Sequence, residues 1–159
     1  MKLIGIAVMS TGAFLGVKNY VDSLKAQLVF LKDWAKIFQL WKEWILHFSY
    51  STAELIERTV TDTLSSELFV SKMMKNKKIE EIITYIESYP LSADEKQIVL
   101  QILKELGNSL TEAEVQSLSH AAKLLGDKVS EREAVVKEKT TLLYKITPLL
   151  CAAAAILIW

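Results

Sequence analysis

At 159 residues with 51% hydrophobic side chains, the chain is long enough for one domain with its own core and too short for two domains plus anchors. Its 19 Lys and Arg balance 19 Asp and Glu, so no field of one sign draws in nucleic acid or an anionic small-molecule substrate. One cysteine excludes an intramolecular disulfide, and two widely separated histidines, His47 and His120, do not make a zinc-ligand spacing, so no metal, redox centre or other cofactor is expected.

The charge is unevenly spread. Residues 3–17 and 146–159 carry no ionisable side chain apart from the thiol of Cys151, whereas residues 18–145 hold every Asp, Glu and Arg and every Lys except Lys2. This predicts an N-terminal membrane segment (1–18), a helical cytoplasmic domain (19–145) and a C-terminal membrane segment (146–159). Both apolar runs are short: a span takes roughly 20 helical residues, and about 15 residues reach only about 22 Å. Snorkelling by Lys2, Lys18 and Lys145 and local thinning of the bilayer would shorten the distance to be crossed. A cleaved signal peptide, with Lys2 ahead of apolar residues 3–9, is the competing reading of the N-terminus, although a small-x-small cleavage site is missing. Gly12 and Gly16 have the spacing that lets membrane helices approach closely, and equally suit ordinary glycine usage in such a helix. Lys18, Lys25, Lys32 and Lys36 follow the first segment, and Lys137, Lys139 and Lys145 precede the second, which places the domain between them in the cytoplasm.

The middle reads as helix throughout, with no alternating apolar run and no hairpin turn signal. Neither Gly nor Pro occurs from Tyr20 to Phe48, and Val21, Leu24, Leu28, Leu31, Ala35 and Phe38 fall three and four apart, as on a helix packed lengthwise. A second line, Phe30, Trp34, Ile37, Trp41, Trp44 and Phe48, widens the apolar coverage: either the helix is buried on two sides, or an aromatic stripe is left for a partner or a membrane surface. Ser51 with Glu54 has capping-box form and opens a helix carrying Leu55, Ile56, Val60, Leu64 and Leu68. Residues 72–78, rich in lysine, are expected to be a solvated loop, with anionic headgroups as an alternative ligand. A short helix with Ile79, Ile82, Ile83 and Ile86 on one face closes at Pro90. Ser92 with Glu95 is a second capping box, Gly107 sits where a C-terminal glycine belongs, and Thr111 with Glu114 opens the last helix. That helix carries Val115, Leu118, Ala122 and Leu125, tolerates Gly126, and runs on through Val129 and Val136 until Pro148 kinks or restarts it.

No catalytic constellation stands out. The acidic residues have lysines three or four places away, as surface ion pairs do, and no phosphate loop, nucleophile elbow or zinc-protease motif occurs. Cys151 lies among alanines, where a thiol acts as a small hydrophobe or as an acylation site. The chain is therefore not expected to be an enzyme.

The run Leu91, Ser92, Ala93, Asp94, Glu95 through Leu106, Gly107, Asn108, Ser109 and Leu110, with Gln116 beyond it and a charged helix and apolar tail after that, resembles the stage III sporulation protein AB family. The likeness in order and spacing covers essentially the whole chain. Two departures stand out: Asn108, Ser109 and Leu110 occupy the place of a second Leu-Gly, and an acidic position usual in the family is displaced around Trp44 and Ile45, with Glu43 close by. The resemblance implies a bundle of about five or six helices between two terminal membrane segments, similar to the cytoplasmic domain of the inner-membrane platform protein of type II secretion and type IV pilus systems. It also implies a mother-cell membrane around the forespore, and a non-enzymatic scaffold of the mother cell–forespore channel that touches an assembly ATPase, other membrane subunits and membrane lipid. The expected contact residues are Trp34, Trp41, Glu43 and Trp44 on the long helix, and Gly107, Asn108, Glu112 and Gln116 on the hairpin. The rival reading is a small membrane-active protein of holin or toxin type.

Overall fold

A helix with neither Gly nor Pro to interrupt it continues until the backbone is forced out of the helical region. In the computed structural model, which describes residues 2–108 and 111–158 and, among them, the side chains of residues 10–108, 111–153, 155 and 156, helix α1 runs Lys2–Phe48. It ends where Ser49 turns to φ 53°, its N–H still reaching the Ile45 carbonyl at 3.0 Å. The chain continues through α2 (Thr52–Thr61), α3 (Phe69–Met74), α4 (Ile79–Ser88), α5 (Ala93–Glu105) and α6 (Thr111–Ile158), and among the described residues there is no strand. The all-α expectation is met.

Two units divide the chain: a terminal unit of Met1–Ala26 with Glu131–Trp159, and a middle unit of Gln27–Ser130. The sequence boundaries after residues 18 and 145 follow the onset of charge. The division by packing follows instead the part of the chain that α2 to α5 cover.

The middle unit is built on α1. Phe30, Leu31, Trp34, Ile37, Phe38 and Trp41 are fully buried, and they meet Leu55 of α2, Met74 of α3, Ile82 and Ile86 of α4, Leu103 of α5 and Leu118 and Leu125 of α6 in one core. From Phe30 to Trp41 both apolar lines are therefore consumed in packing, each fully buried large side chain contributing about 1.5–3 kcal/mol, whereas Phe48 at the end of the second line is exposed. Inside the core the Trp41 indole donates to Thr59 Oγ1 at 2.7 Å, and the Thr59 hydroxyl donates to the Leu55 carbonyl at 2.7 Å. That pair ties α1 to α2 and supplies a partner for a buried polar group that would otherwise cost about 1–3 kcal/mol.

Three elements differ from the sequence reading. Helix α2 stops at Thr61, because Asp62 leaves the helical region and its carboxylate accepts from Leu64 N–H at 2.9 Å, the local competition that Asp offers a helix. Leu64 is consequently exposed. The lysine-rich stretch is part helix: Met73 and Met74 are buried in α3, whose end is made by Asn76 at φ 61°. Helix α3 has no cap of its own, and the buried carboxylate of Asp33 on α1 supplies one, accepting from Val70 N–H at 3.3 Å. Finally, Thr111 is the first helical residue of α6, and Glu114 accepts the Gly107 N–H instead of closing a box on Thr111. The boxes at Ser51 with Glu54 and Ser92 with Glu95 do form.

In the terminal unit, α6 passes through Pro148 without interruption, while the Thr147 hydroxyl donates to the Leu143 carbonyl at 2.6 Å. Val21, Val136 and Thr147 are buried. Many large apolar side chains are not: Leu149, Leu150 and Ile156 are 69%, 64% and 78% exposed, and Phe14, Leu15 and Leu142 are exposed as well. Among the described residues no helix is long and apolar enough to cross a membrane, so two membrane-spanning terminal segments are not observed. The physical reason is brevity, since Lys18 and Lys145 interrupt the apolar runs well before the roughly 20 residues a span takes. The outer parts of the predicted segments, at residues 1–9, 154 and 157–159, lie outside the described side chains.

Candidate functional site

The residues expected to make contacts fall into two groups. Trp34 and Trp41 are 0% exposed, which removes them from any surface stripe. Their rings meet edge to face, centroids 6.2 Å apart at 88°, in a geometry that rewards burial. The wide apolar coverage of α1 is thus the signature of a helix buried on two sides. Trp44 is half-buried against the same core, and among the described residues the Trp34 indole nitrogen has no hydrogen-bond partner.

The second group is exposed. Glu43 pairs with Lys42 at 3.1 Å and lies 3.5 Å from the His47 imidazole. It borders a recess of about 590 Å³ between α1 and α6, where Lys36, Lys42 and Lys123 outnumber it. Gly107 and Asn108 are exposed, and so are Glu112 and Gln116 on α6. Gly107 is held at φ 83°, and the Asn108 amide donates to the Lys104 carbonyl at 3.2 Å, so both serve the end of α5. Ser109 and Leu110 of the same hairpin lie outside the described residues. The hairpin offers no recess: the cleft between α5 and the start of α6 holds only about 10 Å³.

A larger concavity lies elsewhere in the middle unit. An open groove of about 690 Å³ runs between α2 and the turn that joins α3 to α4. One wall is the stripe Thr52, Ile56 and Val60, with Ala53, Glu57 and Thr61 beside it, residues one helical turn apart. Met74 and Ile79 complete the apolar floor, and Lys75, Lys77, Lys78 and Glu80 stand on the opposite wall. Lys77 lies over the Tyr85 ring at 4.9 Å, whereas Lys75 and Lys78 are exposed and, among the described residues, have no carboxylate partner. Residues 72–78 are expected from the sequence as a solvated loop, and a loop there forms no second wall for a groove. The usable signal is Ile56 and Val60, one turn apart on α2 and beside the line of Leu55 and Thr59, which give this ten-residue helix more apolar surface than it buries.

No family model matches the chain, and no curated protein or solved structure does so either. The resemblance to the stage III sporulation protein AB family therefore rests on the order and spacing of the residues alone.

Burial raises the carboxyl of Asp33 above the ordinary carboxylate value, against the pull of the Val70 and Phe69 N–H groups and of Lys36. Its neighbours are backbone amides and a lysine, and it works as a helix cap. Among the described residues no group of three or more His, Cys, Asp or Glu is placed to hold a metal ion. Cys151 is a free, half-buried thiol.

Proposed function

We propose that this protein is a non-enzymatic, membrane-attached scaffold that works by protein contact, its middle unit carrying the contact surfaces and its terminal unit held by lipid and by apolar helices of neighbouring subunits. The observation that carries the reading is the exposure of Leu149, Leu150 and Ile156, together with Phe14, Leu15 and Leu142, in a unit that does not cover them itself. Apolar surface of this kind on a soluble monomer draws a bilayer or a partner. Because neither end is a comfortable span, attachment shared with other membrane helices fits better than two independent anchors.

The resemblance to the sporulation family supplies the specific version. On that reading the protein sits in the mother-cell membrane around the forespore, faces the mother-cell cytoplasm, and couples an assembly ATPase to other membrane subunits of the channel. The test is fractionation of sporulating cells, an alkaline wash of the membranes, and affinity capture of the solubilised protein. The reading expects retention in washed membranes and recovery of an ATPase with small membrane proteins. Release into the soluble fraction overturns the attachment, and retention without an ATPase overturns the sporulation version while leaving the attached scaffold. If the protein expressed alone makes cells leaky, the holin-type reading replaces both.

A further inference from the structure

We infer that the groove between α2 and the α3–α4 turn is a docking site for an amphipathic helix of a partner protein that carries an acidic edge. This rests on the reading of the protein as a contact scaffold, and is independent of how the terminal unit is held.

Three features choose this occupant. The α2 wall is straight, its residues 52, 56 and 60 spanning about 12 Å at about 1.5 Å per residue, so an element laid along it is matched over two helical turns. The floor of half-exposed Ile56, Val60 and Ile79, with the buried Met74 beneath them, is apolar and open, which suits the i, i+3, i+4, i+7 face of a helix more than an enclosed small molecule. Charge then sets the orientation. The turn wall carries Lys75, Lys77 and Lys78 against the single Glu80, while the α2 wall carries only Glu57. An occupant with Asp or Glu along the edge facing the turn, and a Lys or Arg opposite Glu57, meets both walls with complementary charge. An anionic lipid headgroup would satisfy the lysines but leave the apolar floor wet, because a bilayer surface does not enter a groove.

The experiment is selection of a displayed library of helical peptides against the full chain in detergent micelles, followed by affinity measurement against wild type and the double variant Lys75→Glu/Lys78→Glu. Both lysines are exposed, so thermal unfolding of the double variant should match wild type. The inference expects enriched peptides with an apolar helical face and an acidic edge, affinity lowered about tenfold or more by the double variant, and binding regained when the peptide's acidic edge is changed to lysine. Enrichment of basic or purely apolar peptides, acidic peptides indifferent to the double variant, or no enrichment overturns it. So does binding of phosphatidylglycerol vesicles that is lost in the double variant while no peptide binds, which would assign the lysines to lipid. Membrane retention and partner capture, measured on wild type, separate the two proposals: absence of peptide enrichment with both intact sinks the groove alone, and release from washed membranes with peptide binding intact sinks the attachment alone.

Discussion

Replacing Gly107 by alanine tests whether this glycine is a contact residue or a backbone device. At φ 83° an L-residue pays about 1–2 kcal/mol for the left-handed region. The added Cβ would also stand 2.8 Å from Thr52 Oγ1 at the start of α2, closer than a Cβ contact allows. Relief requires the Thr52 side chain to leave its rotamer, at a further cost of about 0.5–1.5 kcal/mol. The expected loss is therefore about 2–3 kcal/mol, a fall in Tm of roughly 8–20 °C for a unit of this size. Urea unfolding of Gly107→Ala measures it, and the double variant Gly107→Ala/Thr52→Ala separates its parts. Removing the threonine hydroxyl should recover the steric share, about 0.5–1.5 kcal/mol, and leave the backbone share in place. A Gly107→Ala protein within about 0.5 kcal/mol of wild type, or a double variant with no recovery, would refute the reasoning.

Thr59→Val should cost about 1–3 kcal/mol by stranding the buried Trp41 indole N–H, whereas Thr59→Ser, which keeps the acceptor, should cost less. If a Trp41→Phe/Thr59→Val cycle shows no coupling in urea titrations, the bond contributes nothing. The pH dependence should show two opposed slopes. Burial raises the folded-state pKa of Asp33, so its contribution is complete below the ordinary carboxylate value and is lost as pH rises through the raised one. Glu54 is held low by the Ser51 hydroxyl and N–H, so its contribution is complete above the ordinary value and is lost as pH falls through the lowered one. Asp33→Asn should therefore flatten the decline of stability with rising pH, and Glu54→Gln the decline with falling pH. Unfolding midpoints across a pH series read both, and an unchanged slope in either variant removes that group from the account.

Local signals carried most of the fold. The two Ser–Glu boxes, the uninterrupted α1 and the glycine after α5 act through neighbours in sequence, and each appears where its chemistry places it. The failures are tertiary. The cap of α3 comes from Asp33, far away on α1, so nothing local marks a helix at Phe69–Met74. The start of α6 at Thr111 is where the sequence places it, but Glu114 spends its carboxylate on Gly107 across the hairpin, so the box expected there is replaced by a longer-range contact. The groove is legible on its α2 side only, since its second wall exists only once Met73 and Met74 are buried and Lys75 and Lys78 after them are exposed. Trp34 and Trp41 show the converse: an apolar line wide enough to suggest a stripe is equally what a helix needs when neighbours cover two of its sides.

Burial of the tryptophans changes what a contact surface on the middle unit can be. With Phe30, Trp34, Phe38 and Trp41 locked in one core, the face of α1 that borders the recess with α6 offers a partner mainly polar and charged side chains, Lys36, Gln39, Lys42 and Glu43, while the exposed apolar side chains Val29, Leu46 and Phe48 lie outside that recess. Recognition through such a face is electrostatic, salt-sensitive and weak, because exposed pairs are worth about 0–1 kcal/mol each. The groove beside α2 combines an apolar floor with the exposed lysines Lys75 and Lys78, and desolvated apolar anchors are what give an interface its affinity. Affinity and orientation thus separate onto different surfaces. A partner held in the groove should survive high salt in part, whereas one held on the α1 face should be lost from it entirely, and capture at low and high ionic strength distinguishes the two.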